Sequence, residues 1–219
     1  MLWQEIKTLL IKDIRLELKQ KYALNGILLY IVSTIFLCYQ AFENKLEPAG
    51  WNALYWVILL FAAVNAISKS FVQENTGRQL YYYSLASPQG IILAKILYNM
   101  LLMMALSILF FFIYILFLGS FIVNYGLFAL TFLLGSIGFA SLFTMISAIA
   151  SRTSNNFSLM AILGFPIILP LLLMVIKASR YALFADAWTQ GLRLLIGLSA
   201  INVIIVSLSF MLFPYLWRD

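Results

Sequence analysis

Residues 71–95 read FVQENTGRQLYYYSLASPQGIILAK and form the one sizeable polar stretch between two long apolar runs. The stretch holds Glu74, Arg78 and Lys95, and no proline interrupts it before Ser87-Pro88. The residue before a proline disfavours the helical conformation, so a short helix within 74–85 is expected to end there. The sequence therefore predicts a short polar helix that joins two apolar segments.

The composition indicates a membrane protein. Of the 219 residues, 64% are hydrophobic and only 10% are charged, and the mean hydropathy is +0.99. A soluble core of this length could not hide so much apolar surface. Because one span takes about 20 residues, we expect an all-α polytopic protein with six transmembrane helices in a single domain over 1–219 and no separate soluble domain.

The apolar runs predict spans at residues 23–42, 51–68, 90–122, 125–150, 157–176 and 192–212. The third run is too long for one untilted helix, so it is expected to tilt or to bend near Gly119. A polar turn is predicted at 151–156. The segment 177–190, which contains Tyr181 and Trp188, is predicted to be a surface segment on the opposite, periplasmic side.

The first 21 residues predict an interfacial amphipathic helix. Apolar residues recur at helical spacing, and basic residues lie on the other side: Leu2, Ile6, Leu9, Leu10, Ile14 and Leu18 against Lys7, Lys12, Arg15 and Lys19. Such a helix binds a bilayer through its apolar face and through anionic headgroups; packing of that face on a protein partner is the alternative. Charges throughout this segment argue against a cleaved signal peptide.

The distribution of basic residues predicts the orientation. Ten fall on the N-terminal side of the predicted spans, namely Lys7, Lys12, Arg15, Lys19, Lys21, Lys69, Arg78, Lys95, Arg152 and Arg218. Four fall on the other side: Lys45, Lys177, Arg180 and Arg193. The positive-inside rule then places both termini, residues 71–95 and the 151–156 turn in the cytoplasm. This pattern also accounts for the net charge of +6, so no nucleic acid partner is inferred.

The residues for catalysis are scarce. The sequence has no histidine and one cysteine, Cys38, which lies in a span. All eight acids fall in predicted interfacial or loop segments, so no buried ionisable group is predicted for a proton- or sodium-coupled carrier. The predicted spans lack the ligands that a metal enzyme needs and the acid–base pair that an intramembrane protease needs. The ATP-binding pattern G-x-x-x-x-G-K-S/T is absent as well. A passive path, a scaffold or a permease driven by another protein remains.

Two further stretches favour a driven permease. The fourth span contains Gly135 and Gly138 among small residues, which let helices approach closely. The fifth contains Pro166 and Pro170, which lie on one helical face and each remove a backbone hydrogen bond. We interpret the latter as a kink that lines a path or acts as a hinge. For the glycines, the alternative is ordinary span packing. For the prolines, it is a static kink, and for residues 71–95 it is a solvated loop.

The same residues resemble a known family. The set Phe71, Glu74, Gly77, Leu80, Leu85, Pro88 and Ala94-Lys95 is similar to the pattern that follows the second span in type-2 ABC exporter permeases. The run LGSIGFASLFTMISAIASRTSNNFSLMAILGFPIILPLLL, residues 134–173, resembles more narrowly the heme exporter protein B (CcmB) family, the permease of cytochrome c maturation.

This resemblance implies a half-transporter in the bacterial inner membrane. Two copies would pair with two copies of a CcmA-like ATPase subunit, beside CcmC-like and CcmD-like components and a CcmE-like heme chaperone. ATP would be hydrolysed by the partner, and heme would be the substrate rather than a bound cofactor. Residues 71–89 would form a cytoplasmic coupling segment that begins at Phe71. Glu74, Gly77 and Arg78 would lie in its helix, seated on the ATPase, with Pro88 at the end of the helix and Lys95 at the membrane boundary.

We therefore expect a permease subunit without catalysis of its own. It would couple ATP hydrolysis by its partner to heme export or to release of the heme-loaded chaperone. Two alternatives stay open: a non-transport membrane scaffold for a maturation complex, and a generic type-2 exporter of a drug or lipid.

Overall fold

The computed structural model describes residues 2–19, 21–42, 45–67, 71, 86–151, 156–183 and 188–218. Within these ranges, side chains are described except at 17–24, 156–163 and 216–218. The middle of the predicted coupling segment, with Glu74, Gly77 and Arg78, lies outside the described residues.

The regular structure of the described ranges is α-helical throughout. Its elements are α1 (Leu2–Lys19), α2 (Lys21–Phe42), α3 (Pro48–Ile67), α4 (Pro88–Leu118), α5 (Tyr125–Ala150), α6 (Asn156–Tyr181) and α7 (Trp188–Arg218). Six of them, α2 to α7, are long and apolar enough to cross a membrane. The expectation of an all-α protein with six spans is confirmed.

The third span is a single helix that ends at Leu118, just before Gly119, instead of continuing to residue 122. Helix α4 ends at Leu118 because Gly119 adopts a φ of 69°, a left-handed conformation that glycine tolerates best. Its 31 residues extend about 46 Å at 1.5 Å per residue. A length above the roughly 30 Å hydrocarbon core leaves about three turns of α4 for contacts outside that core.

The fifth span extends further than the sequence predicted. Helix α6 stays helical across Pro166 and Pro170 and continues to Tyr181, so the start of the predicted surface segment 177–190 is its last turn. A buried contact stabilises this last turn: the Ser179 hydroxyl accepts a hydrogen bond from Trp56 Nε1 at 2.7 Å. The other end of that segment begins α7, and 184–187 lie outside the described residues.

Helix α5 lies at the centre of the bundle. It contacts α3, α4, α6 and α7, and 78% of its span is buried, against 17% for α2. Glycines permit this approach: a Cβ at Gly135 would lie 2.7 Å from the Trp56 ring, and one at Gly138 would lie 2.9 Å from Leu171. The central helix is therefore positioned by small residues that face bulky neighbours.

Polar side chains join the spans at several levels. Between α4 and α5, the Ser136 and Ser107 hydroxyls lie 3.0 Å apart, and Asn99 Nδ2 donates to Thr144 Oγ1 at 2.8 Å. Asn202 of α7 donates to the Leu134 carbonyl of α5 at 2.9 Å. Because lipid offers no hydrogen bonds, each such bond contributes of the order of 0.6 kcal/mol to helix association.

Replacing Gly135 with alanine is expected to destabilise the fold by about 1–3 kcal/mol, because the rigid Trp56 ring would have to move. Thermal unfolding of the purified chain in detergent measures the effect as a lower midpoint. Gly26→Ala is the matched control, since no atom lies within 4 Å of a Cβ there. Equal stability of the two variants would contradict this account of the α5 packing.

Candidate functional site

The described ends of the predicted coupling segment meet at one end of the bundle, here called the base. Phe71 follows α3 and is 3% exposed. It packs on Phe213 near the end of α7, with ring centroids 5.6 Å apart. The apolar cluster around it also contains residues of α4 and α5, namely Ile91, Ile92, Ile96 and Ala148. The segment therefore leaves α3 from a buried anchor.

A buried ion pair lies beside this anchor. The Lys95 ammonium of α4 lies 3.4 Å from the Asp13 carboxylate of α1, and the two residues are 7% and 6% exposed. Lys12 also approaches Asp13, at 3.1 Å. The Lys95 ammonium lies 5.7 Å from the centroid of the Phe71 ring, within range of a cation–π interaction. Lys95, on α4, thus contacts both α1 and Phe71.

The other end of the segment is fixed at the start of α4. Ser87 is the N-cap: its hydroxyl accepts a hydrogen bond from the Gly90 amide at 3.1 Å, and Pro88 is the first helical residue. The Glu5 carboxylate of α1 accepts bonds from the Ser87 amide and, at 3.0 Å, from the Ser87 hydroxyl. A Cβ at Gly90 would lie 3.1 Å from that carboxylate, so glycine leaves room for it.

The predicted site residues thus divide into separate groups. Phe71 and Lys95 come together at the base, where both side chains face the bundle and not its surroundings. Pro88, which was predicted to end the coupling helix, is the first residue of α4. Since Glu74, Gly77 and Arg78 lie outside the described residues, their contact with an ATPase stays a prediction.

The residues predicted for packing or hinge motion lie elsewhere. Gly138 is ten residues from Ala148 of the base cluster, or about 15 Å along α5. Gly135 and Gly138 contact neighbours within this chain, namely Trp56, Val175, Leu171 and Asn202. Pro166 and Pro170 are exposed on α6, whereas Leu171 and Val175 of the same helix are buried. The prolines therefore face away from α5, and a hinge role stays a prediction.

The family of the chain follows from comparison with known proteins. The model of the CcmB protein family matches residues 4–212, nearly the whole length. This chain belongs to the CcmB family. A search of curated proteins returned no match. Membership makes the chain a multi-pass membrane component of heme export in cytochrome c maturation, in a family of permease subunits.

The base of this CcmB-family chain contains residues that sequence reasoning missed. The absence of buried ionisable groups was expected, and this is wrong for Asp13 and Lys95. A signal was present in α1, because Asp13 follows Ile6 and Leu9 at helical spacing and so lies on the apolar face. An acid in an apolar stripe indicates a cationic partner, but the pattern could not identify Lys95 as that partner.

The base is a point of attachment between separate parts of the chain. No group of three or more histidine, cysteine, aspartate or glutamate residues that could hold a metal occurs in the part of the chain that the structure describes. What the base offers is a pair of fixed ends for residues 72–85, each bonded to a different set of helices. A displacement of the segment must therefore strain contacts with α1, α4 and α7 together.

Glu5→Ala is expected to destabilise the chain by about 1–2 kcal/mol, because the Ser87 amide and hydroxyl lose their acceptor. Backbone amides in the first turn of α4 should also exchange with deuterium faster than in the unaltered chain. Gln4→Ala is the control, since its side chain is exposed on the same helix. Unchanged exchange at residues 89–91 would show that the carboxylate does not stabilise this turn.

Proposed function

We propose that this chain is the permease subunit of an ABC transporter in which a separate ATPase subunit pushes on residues 72–85. The observation that supports this most directly is the anchoring of both ends of the segment at the base of the bundle. Phe71 packs on α7, and Ser87 is bonded to α1 through Glu5. A segment held in this way transmits a displacement to the helices instead of absorbing it.

Helix α4 offers the route from the base across the membrane. It is continuous for 31 residues from Pro88, immediately after the segment. Asn99 and Ser107 bind it to α5 at two levels eight residues apart, about 12 Å along the axis. A push at the base would then move α4 as a rigid body and force the spans around α5 to repack.

The remaining parts of the assembly rest on the family and on charge. We place both termini and the base on the cytoplasmic side of the bacterial inner membrane, where ten of the fourteen basic residues are predicted to lie. In agreement with this, α1 and the end of α7 lie at the same end of the bundle, since both contact the base cluster. Two copies of the chain would bind two CcmA-like subunits beside CcmC-like, CcmD-like and CcmE-like partners.

Heme enters this proposal as a substrate of the complex. The chain has no histidine, and its one cysteine lies in α2. Histidine is the commonest protein ligand of heme iron, and cysteine thiolate is another. Heme coordination is therefore assigned to the chaperone partner, and this subunit would convert ATP hydrolysis into release of the loaded chaperone or into export of heme.

The test is purification of the chain with its ATPase subunit, with and without Glu74→Ala plus Arg78→Ala. The double substitution is expected to lower ATPase recovery and permease-dependent ATP hydrolysis at least about tenfold, roughly 1.4 kcal/mol of contact free energy. Glu47→Ala plus Arg193→Ala is the matched control, since it removes an exposed acid and an exposed arginine on the predicted outer side.

The two alternatives give different results. Absence of ATPase from the wild-type preparation in detergent and in lipid would favour a scaffold. Normal recovery and hydrolysis with both alanines present would contradict the assignment of residues 72–85 as the coupling segment. Stimulation of hydrolysis by a drug or lipid, and not by the heme-loaded chaperone, would favour a generic exporter.

A further inference from the structure

Helix α1 contacts the start of α4 at two polar points with equal spacing. Glu5 is bonded to Ser87, and Asp13 is paired with Lys95. Each pair joins residues 82 positions apart in sequence, since 87 − 5 and 95 − 13 give the same number. The two helices therefore run parallel and keep the same register over these eight residues, about 12 Å. We call this arrangement the two-point contact.

The chemistry of the two-point contact suits positioning more than stability. A buried carboxylate and ammonium must be paired, yet apolar residues of similar size often stabilise such a position equally well. The best-attested use of a buried polar pair is to fix the register of two helices. A single contact would let α1 pivot on α4, whereas two contacts about two turns apart fix its direction as well.

Helix α1 leads directly into the most loosely packed span. Helix α2 begins at Lys21, two residues after α1 ends. Among its described side chains, the buried ones are Ile27, Ile31 and Ile35, which form a single row at a spacing of four residues. Lipid provides no hydrophobic force between helices, so a single row of isoleucines restrains α2 weakly. Motion of α1 would thus be passed on to α2 more readily than to the other spans.

We propose that Glu5 and Asp13 are positioning residues that fasten α1 to the start of α4, so that a displacement of residues 72–85 moves span α2 together with α4. This inference rests on the proposed function, because it assigns a second route for the push of the ATPase. The two routes diverge at the base, one along α4 toward α5 and one through α1 into α2.

The test replaces the ion pair by an apolar pair, Asp13→Leu with Lys95→Met, which removes both charges of the pair together. In the purified chain, amides of α1 are expected to exchange at least about tenfold faster, with those of residues 100–118 unchanged. In the complex, ATPase should still co-purify while permease-dependent ATP hydrolysis falls at least about fivefold. Asp13→Glu, which keeps the charge, should retain at least about half of that hydrolysis.

One control variant and three contrary outcomes complete the test. Lys7→Met with Glu47→Leu removes exposed charges of the same kinds and should change neither readout. Wild-type exchange of α1 in the apolar variant would overturn the fastening by Asp13. Faster exchange with wild-type hydrolysis would overturn the transmission to α2. Failure of the unaltered chain to bind ATPase would overturn the proposed function and the transmission with it, while the exchange result would still decide the fastening.

Discussion

Lipid offers no hydrogen-bond partner, and this constraint shapes the whole bundle. Polar side chains within the spans bond to neighbouring helices, as Asn99 does to Thr144 and Asn202 to the Leu134 carbonyl. These bonds converge on α5, whose glycines allow bulky neighbours to approach. The result is a firmly held centre surrounded by less restrained spans, with α2 the least buried.

The base of the bundle applies the same rule to charge. Lys95 begins the long apolar run of α4, and its ammonium is paired with Asp13 and lies near the Phe71 ring. Because this one cation contacts both α1 and Phe71, a segment that begins at Phe71 is mechanically connected to α1 and α4.

Some expectations failed for physical reasons that a linear pattern does not contain. The fifth span was predicted to end at residue 176, but α6 continues to Tyr181 because Ser179 is buried against Trp56. Asp13 carries a charge typical of a solvated residue, yet it is buried because an oppositely charged residue 82 positions away lies beside it. Burial of a charge depends on its partner, and the partner is distant in sequence.

By itself the sequence determined the class, six apolar helices and the CcmB-type motifs, because hydrophobic length and residue spacing are local properties. It also located the fourth span at 125–150, where the structure has α5. Only the tertiary structure decided that α5 is central, that Gly135 and Gly138 pack within this chain, and that α1 runs along α4 in matched register. Those features depend on which helices meet, and helix pairing is set by contacts between residues far apart in the chain.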